Sequence, residues 1–156
     1  MVSNRGLTFM SGKRFWWSVA SVWFVMVFSN WFFHGEWLHS WYQQTAQFWR
    51  PEQETMKMLP WMWVGQAVFS WAFVWVYSNG ISKENQWMQA FRYAMAILLL
   101  TQVSQQVTMW AMVPYPGELV ARWLVISTVQ AFLASFVMTW TYKPMAAGAA
   151  VAKARA

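Results

Sequence analysis

The two histidines of the chain lie five residues apart, with a glutamate between them. Glu36 and His39 have the spacing of a helical Glu-x-x-His pair, which places a carboxylate and an imidazole on one face. Imidazole and thioether groups together favour copper, Cu(I) above all. The candidate ligands are His34, Glu36, His39, Met56, Met58, Met62, Met109 and Met112. They predict a copper or iron site, and the alternative is a solvated helix face beside methionines that fill packing gaps.

A run of amides and hydroxyls, TQVSQQVT at residues 101–108, forms a second candidate site. Such a density of amides is not expected to face lipid, so it should point towards neighbouring helices. We expect a polar pocket for a small ligand or a quinone head group, lined by Gln66, Gln102, Gln106, Gln130 and Arg122. The alternative is hydrogen bonding between helices, worth about 0.6 kcal/mol for each contact in membrane proteins.

The sequence offers no residues for several other kinds of chemistry. The chain has no cysteine, which excludes disulfides, thiolate metal sites and thiol catalysis. Searches for a phosphate-binding glycine loop, a G-x-S-x-G and an H-E-x-x-H motif find none. No ionisable residue falls near the centre of a predicted span, which counts against a pump or a proton-coupled transporter. We therefore predict no catalytic residue.

The composition indicates that lipid surrounds the chain. Hydrophobic residues make up 58% and charged residues only 10%, against about 25% charged in soluble domains. The net charge of +6 could suggest a nucleic acid. Because the basic residues are spread between apolar segments rather than clustered, we expect no nucleic-acid partner.

Four apolar stretches have about the length that a spanning helix needs, at residues 15–33, 60–77, 91–113 and 118–142. Pro60 fits the first turn of the second helix, and the third helix could begin as early as Ser82. The break at Pro114–Gly117 is short, so the last two helices should form an antiparallel hairpin. The predicted fold is an all-α membrane protein with four transmembrane helices in an antiparallel bundle, one domain over residues 1–144.

Two further segments lie outside the predicted spans. Aromatic and polar residues alternate around residues 36–50 with helical spacing, which predicts an amphipathic helix in the membrane interface between helices 1 and 2. The last residues, 145–156, are of low complexity and are predicted to be a disordered cytoplasmic tail.

The basic residues predict the orientation in the membrane. Placing both termini in the cytoplasm puts eight of the eleven Lys and Arg residues inside, namely Arg5, Lys13, Arg14, Lys83, Arg92, Lys143, Lys153 and Arg155. The remaining three, Arg50, Lys57 and Arg122, fall outside. This bias agrees with the positive-inside rule. We expect a bacterial inner membrane, since the chain lacks organelle-targeting features.

Function is predicted from the bulk of the helices. The first span alone carries more large aromatic residues than a four-helix interior can hold, namely Trp16, Trp17, Phe24, Phe28, Phe32 and Phe33. The leading hypothesis is an accessory or structural subunit of a larger membrane complex, of respiratory or other electron-transfer type, with the lipid bilayer and other membrane subunits as partners. The alternatives are the metal-binding protein and the ligand or quinone site described above.

Overall fold

The computed structural model describes residues 12–80 and 85–142, and this part of the chain is 91% helical without strands. The α-helices are α1 (Lys13–Asn30), α2 (His39–Gln44), α3 (Glu52–Asn79), α4 (Gln86–Ile97), α5 (Ser104–Met112) and α6 (Gly117–Tyr142). A π-helical turn, Trp31–Trp37, extends α1, and a short 3₁₀ turn, Ala46–Phe48, follows α2. The predicted tail at 145–156 lies outside the described residues.

Helices α4 and α5 form one rod, because the π-helical turn Leu98–Val103 joins them with helical backbone at both junctions. The rod begins after Asn85, whose side chain accepts a hydrogen bond from the Trp87 N–H at 2.9 Å. The earlier start that the sequence allows, at Ser82, lies outside the described residues. The rod ends where Val113 turns to extended backbone, before two prolines that cannot continue a helix.

Three helices in the described part of the chain are long and apolar enough to cross a membrane: Lys13–Trp37, Glu52–Asn79 and Gly117–Tyr142. This finding is compatible with an integral membrane protein. The α4–α5 rod, which corresponds to the predicted third span, is not among them. Its central TQVSQQVT stretch carries amides and hydroxyls that lower its mean hydropathy.

Helix α3 begins earlier than the sequence pattern predicts. It starts at Glu52 rather than at Pro60, and Pro60 lies inside it. Acidic residues in the first turn, Glu52 and Glu54, favour a helix start because they complement the positive end of the helix dipole. Inside the helix, Pro60 lacks the N–H that would bond the Met56 carbonyl, and its ring crowds that carbonyl.

The segment predicted as one interfacial helix, residues 36–50, forms two short pieces instead. Leu38 and Thr45 leave the helical region of backbone space, at φ −93°, ψ 4° and φ −113°, ψ 26°. Both side chains are buried, and the Thr45 hydroxyl donates to the Trp41 carbonyl while accepting the Trp49 indole N–H. Burial of Leu38 against Leu119 and Ile126 of α6, together with the local hydrogen bonds of Thr45, thus overrides the helical periodicity.

Helix α6 is the centre of the packing. It runs antiparallel to α1, since Thr141 bonds Ser18 near one end and Gln130 bonds Ser29 further along. It also runs antiparallel to the α4–α5 rod, since its Phe136 meets Trp87 at the start of the rod. Residues of α1, α3 and α6 share the larger core, which we call the inner core: Phe15, Val22, Phe73, Val74, Tyr77, Ala134, Met138 and Tyr142.

Candidate functional site

Two of the predicted glutamines meet on the α4–α5 rod, where they share one serine of α6. The Ser127 hydroxyl accepts a hydrogen bond from Gln106 Nε2 at 2.8 Å and donates to Gln102 Oε1 at 3.2 Å. Gln102 and Gln106 are four residues apart, so one face of the rod presents both amides to α6. The contact ties the rod to α6, and the buried Oε1 of Gln106 has no hydrogen-bond partner among the described residues.

The other predicted ligand-binding amides lie elsewhere. Gln130 donates through Nε2 to Ser29 Oγ at 3.0 Å and to Asn30 Oδ1 at 3.2 Å, which joins α6 to α1. Gln66 lies on α3, and its buried Oε1 has no hydrogen-bond partner within the described ranges. The predicted glutamine set is therefore divided between separate helix contacts.

Arg122 belongs to a different environment from the glutamines. It forms an ion pair with Glu118 one helical turn earlier, at 2.8 Å. Its guanidinium carbon also lies 4.4 Å from the ring centre of Trp41, a cation–π distance. The structure thus places Arg122 beside the segment between α1 and α3.

That segment forms a cluster at the start of α6 that we call the aromatic cap. Its rings are Trp41, Tyr42, Trp49, Tyr115 and Trp123, which surround the buried Leu38 and Leu119. Trp49 stacks on Tyr115 with ring centres 5.4 Å apart and meets Trp123 edge-on at 5.8 Å. The cap joins three separate parts of the chain, and offset or edge-to-face ring pairs of this kind stabilise beyond their buried area.

Tyr42 holds the polar centre of the cap. Its hydroxyl accepts the Trp123 indole N–H at 2.9 Å and lies 2.5 Å from His34 Nδ1. Burial raises the pKa of Tyr42 to about 12, although the hydrogen bond from Trp123 acts in the opposite direction. The phenol therefore stays neutral at physiological pH and links His34 to α6.

The predicted metal ligands have different partners. His34 faces Tyr42, whereas His39 Nε2 lies 2.9 Å from the Gln43 amide nitrogen. Residues 12–80 and 85–142 contain no group of three or more His, Cys, Asp or Glu that could hold a metal ion. All five candidate methionines are exposed, namely Met56, Met58, Met62, Met109 and Met112. The structure does not support the metal-site hypothesis.

The opposite side of the α4–α5 rod carries a second polar surface, which we call the outward face: Thr101, Ser104, Gln105 and Thr108. These residues line a shallow open concavity of about 450 Å³ together with Leu100 and Met109. The Ser104 and Thr108 hydroxyls donate to carbonyls of their own helix, at 2.7 and 2.8 Å. The exposed Gln105 amide has no hydrogen-bond partner in the part of the chain that the structure describes.

The sequence analysis did not distinguish the outward face from the side of the rod that carries Gln102 and Gln106, because residues 101–108 form one continuous polar stretch. Helical spacing could have separated it, because Gln105 lies about 100° around the helix from Gln106.

Comparisons with protein-family models, curated proteins and solved structures found no match. A function for the chain is therefore inferred from the polar contacts between helices and from the outward face.

Proposed function

We propose that the chain is a non-catalytic subunit of a larger membrane protein complex, and that it crosses the bilayer four times. The α4–α5 rod supplies the third crossing in this proposal. At about 1.5 Å per residue the rod is roughly 40 Å long, enough for the hydrocarbon core. No charged residue interrupts the sequence from Tyr93 to Gly117, and the rod packs antiparallel to the apolar α6.

The observation that carries the proposal is the unpaired amide on the outward face. Gln105 lies within the proposed third crossing, where lipid offers no hydrogen-bonding group. An amide without a partner in an apolar environment costs roughly 2–7 kcal/mol, depending on the reference state. Since Ser104 and Thr108 are satisfied by their own helix, Gln105 is the side chain of the outward face that requires a partner. A neighbouring protein helix with a polar side chain would supply it.

The exposed half of α3 supports the same proposal in a weaker way. Among the described residues, α3 has buried side chains only from Ser70 to Ser78. The part of α3 before Ser70 exposes large apolar residues such as Trp61, 71% exposed, and Val68, 61% exposed. Lipid can cover such a surface, but so can a partner subunit.

The proposed setting is a bacterial inner membrane with both termini in the cytoplasm. The distribution of Lys and Arg supports this orientation. The aromatic cap then lies at the outer surface, where Trp and Tyr rings are enriched at membrane interfaces. The polar network of Gln102, Gln106 and Ser127 lies deeper, between the cap and the inner core.

Affinity purification from native membranes in a mild detergent tests the proposal. We expect the tagged chain to migrate in a complex larger than a single chain in its detergent micelle. Gln105→Leu, which keeps a similar volume but removes the amide, should release the partner without changing helix content. The matched control is Trp110→Leu, on the side of α5 opposite to the outward face, and it should leave the complex intact.

The opposite result would remove the proposal. If the unmodified chain migrates as a lone monomer with lipid on every side, no partner subunit exists. Equal loss of the complex in both variants would show that a general change in α5, and not the amide, controls assembly.

A further inference from the structure

We propose that the α4–α5 rod has two registers, which differ in the side of α5 that faces α6 and which interconvert through the π-helical turn Leu98–Val103. Conversion of this turn to α-helix rotates α5 by about 100° and brings Gln105 to Ser127 in place of Gln106. The inference goes beyond the proposed function, since it concerns the rod itself and needs no partner subunit.

The packed side of α4 indicates where an unbroken α-helix would continue. Two of its side chains contact aromatic rings of α6, and two further ones are buried. They recur at intervals of four, three and four residues, which is the spacing of one side of a helix. In chain order they are Trp87, Phe91, Ala94 and Leu98.

The π-helical turn changes which amide continues that side. In an unbroken α-helix, Gln105 would lie only about 20° around the axis from Leu98, whereas Gln106 would lie about 80° away. A π-helical turn is closed by i→i+5 hydrogen bonds, so it holds one residue more than an α-helical turn. The side chains after the turn are therefore displaced by one position, and Gln106 instead of Gln105 bonds Ser127.

The polar groups at Ser127 suit both registers. Gln105 and Gln106 carry the same amide, with a donor and an acceptor, so either can donate to the Ser127 hydroxyl. Gln102 would lie about 40° from Leu98 in the α-helical register, and it stays on the side that faces α6. The observed register leaves the buried Oε1 of Gln106 without a hydrogen-bond partner among the described residues. An unsatisfied buried acceptor costs free energy, which lowers the advantage of this register over the other.

Little packing opposes rotation of α5. Within the described residues, α5 has no buried side chain, and Val113 turns to extended backbone directly after it. At the π-helical turn, the Thr101 hydroxyl donates to the Ile97 carbonyl at 2.8 Å and the Ser104 hydroxyl to the Leu100 carbonyl at 2.7 Å. In membranes, serine and threonine side chains satisfy backbone groups that local π-helical adjustments release. The turn can therefore convert without leaving carbonyls unpaired in the bilayer.

The two registers present different amides to the surroundings of the rod. In the observed register Gln105 lies on the outward face, where a neighbouring subunit would bond it. In the other register Ser127 bonds Gln105, and Gln106 turns away from Ser127. A partner that binds Gln105 therefore holds the rod in the observed register, and its release allows the exchange.

Distances between two nitroxide labels test the exchange, and the absence of native cysteine allows the labels to be placed at chosen sites. The sites are Thr108→Cys on α5 and Val125→Cys on α6, both at exposed positions. Thr108 lies about 160° around the helix from Gln106 but only about 60° from Gln105. The distance between the labels is therefore longer in the observed register and shorter in the other. Pulsed double electron–electron resonance on the full chain in liposomes measures both.

Leucine variants of the two amides should shift the distances in opposite directions. We expect the longer distance to dominate in the doubly labelled chain with both glutamines present. Gln106→Leu removes the amide that bonds Ser127 and should shift most of the population to the shorter distance. Gln105→Leu should leave only the longer one. The same single distance in all three chains would overturn the inference.

Deletion of Leu100, which is 75% exposed in the π-helical turn, provides the matched control. Loss of one residue lets the turn become α-helical while Gln106 stays opposite Ser127, so the longer distance should persist even with Gln106→Leu. A shift to the shorter distance in that combination would show that the π-helical turn does not control the register, which also overturns the inference. If the deletion variant does not fold, the two leucine variants alone decide. The labels report on α5 whether or not another subunit binds, so this inference and the proposed function fail separately.

Discussion

The inner core and the aromatic cap stabilise α6 at its two ends by different means. At the inner core, α1, α3 and α6 pack directly, and Phe73, Met138 and Phe15 are each at most 2% exposed. At the aromatic cap, α3 contributes no buried residue among the described ones, and the folded segment after α1 covers α6 instead. A long helix can therefore support the bundle over only part of its length, and its two halves should respond differently to mutation.

The strongest test of this difference is Phe73→Ala. The Phe73 ring packs edge-on against Tyr93 at 4.8 Å, so truncation leaves a cavity where α3 meets α4. We expect a loss of about 3 kcal/mol in the free energy of unfolding. Lipid removes part of the transfer contribution seen in soluble proteins, so this value is at the low end of the usual range. Unfolding by added dodecyl sulfate in mixed micelles, followed by circular dichroism, measures it.

The matched control on the same helix is Trp61→Ala. Trp61 is 71% exposed in the part of α3 that has no buried side chain, so its truncation should change the free energy of unfolding by less than about 0.5 kcal/mol. Comparable losses for Phe73→Ala and Trp61→Ala would show that both halves of α3 are equally supported, which contradicts the comparison.

Tyr42→Phe tests the aromatic cap, with a smaller expected effect. The substitution keeps the ring but leaves the Trp123 N–H without its acceptor, and we expect a loss of about 1–2 kcal/mol. Tyr115→Phe is the control, since the Tyr115 hydroxyl has no hydrogen bond within the described part of the chain. It should change the free energy of unfolding by much less, as measured by the same micelle assay.

The same pair of variants gives a pH signature. The pKa of Tyr42 is raised to about 12 by burial, above the value near 10 of an unfolded chain. The folded state therefore favours the neutral phenol, and its stabilisation is complete below pH 10 and falls as the pH rises towards 12. The stability difference between the unmodified chain and Tyr42→Phe should narrow over that range. A constant difference would show that the Tyr42 hydroxyl is not buried.

The sequence predicted the long helices better than the segment between them. Helix α6 was expected at 118–142 and begins at Gly117. The start is well defined because Pro114 and Pro116, which precede it, cannot continue a helix. Residues 36–50 show helical periodicity, yet the burial of Leu38 and Thr45 breaks the helix. The burial of Leu38 depends on contacts with Leu119 and Ile126 of α6, more than eighty residues away in the chain, which periodicity cannot reveal.

The candidate sites also show that a local sequence pattern does not reveal contacts between residues far apart in the chain. The i, i+4 spacing could have placed Gln102 and Gln106 on one face, and the same rule could have paired Glu118 with Arg122. The bond between Tyr42 and Trp123 joins residues far apart in sequence, and no local pattern indicates it. The predicted pocket grouped Gln66 and Gln130 with the other glutamines, but the sequence does not specify which helices are neighbours.

Ser127→Ala has the smallest expected effect and tests the region between the two ends. Its hydroxyl holds both Gln102 and Gln106, yet these amides lie one turn apart on the same helix. When the serine is lost, the Gln106 amide N–H can donate to Gln102 instead, so we expect a loss of only about 0.6 kcal/mol, the average for such membrane contacts. Ser21→Ala is the control, because the Ser21 hydroxyl donates only to the Trp17 carbonyl of its own helix, at 2.8 Å. A loss above 2 kcal/mol for Ser127→Ala, against roughly none for Ser21→Ala, would mean that this network, rather than the two ends, stabilises α6.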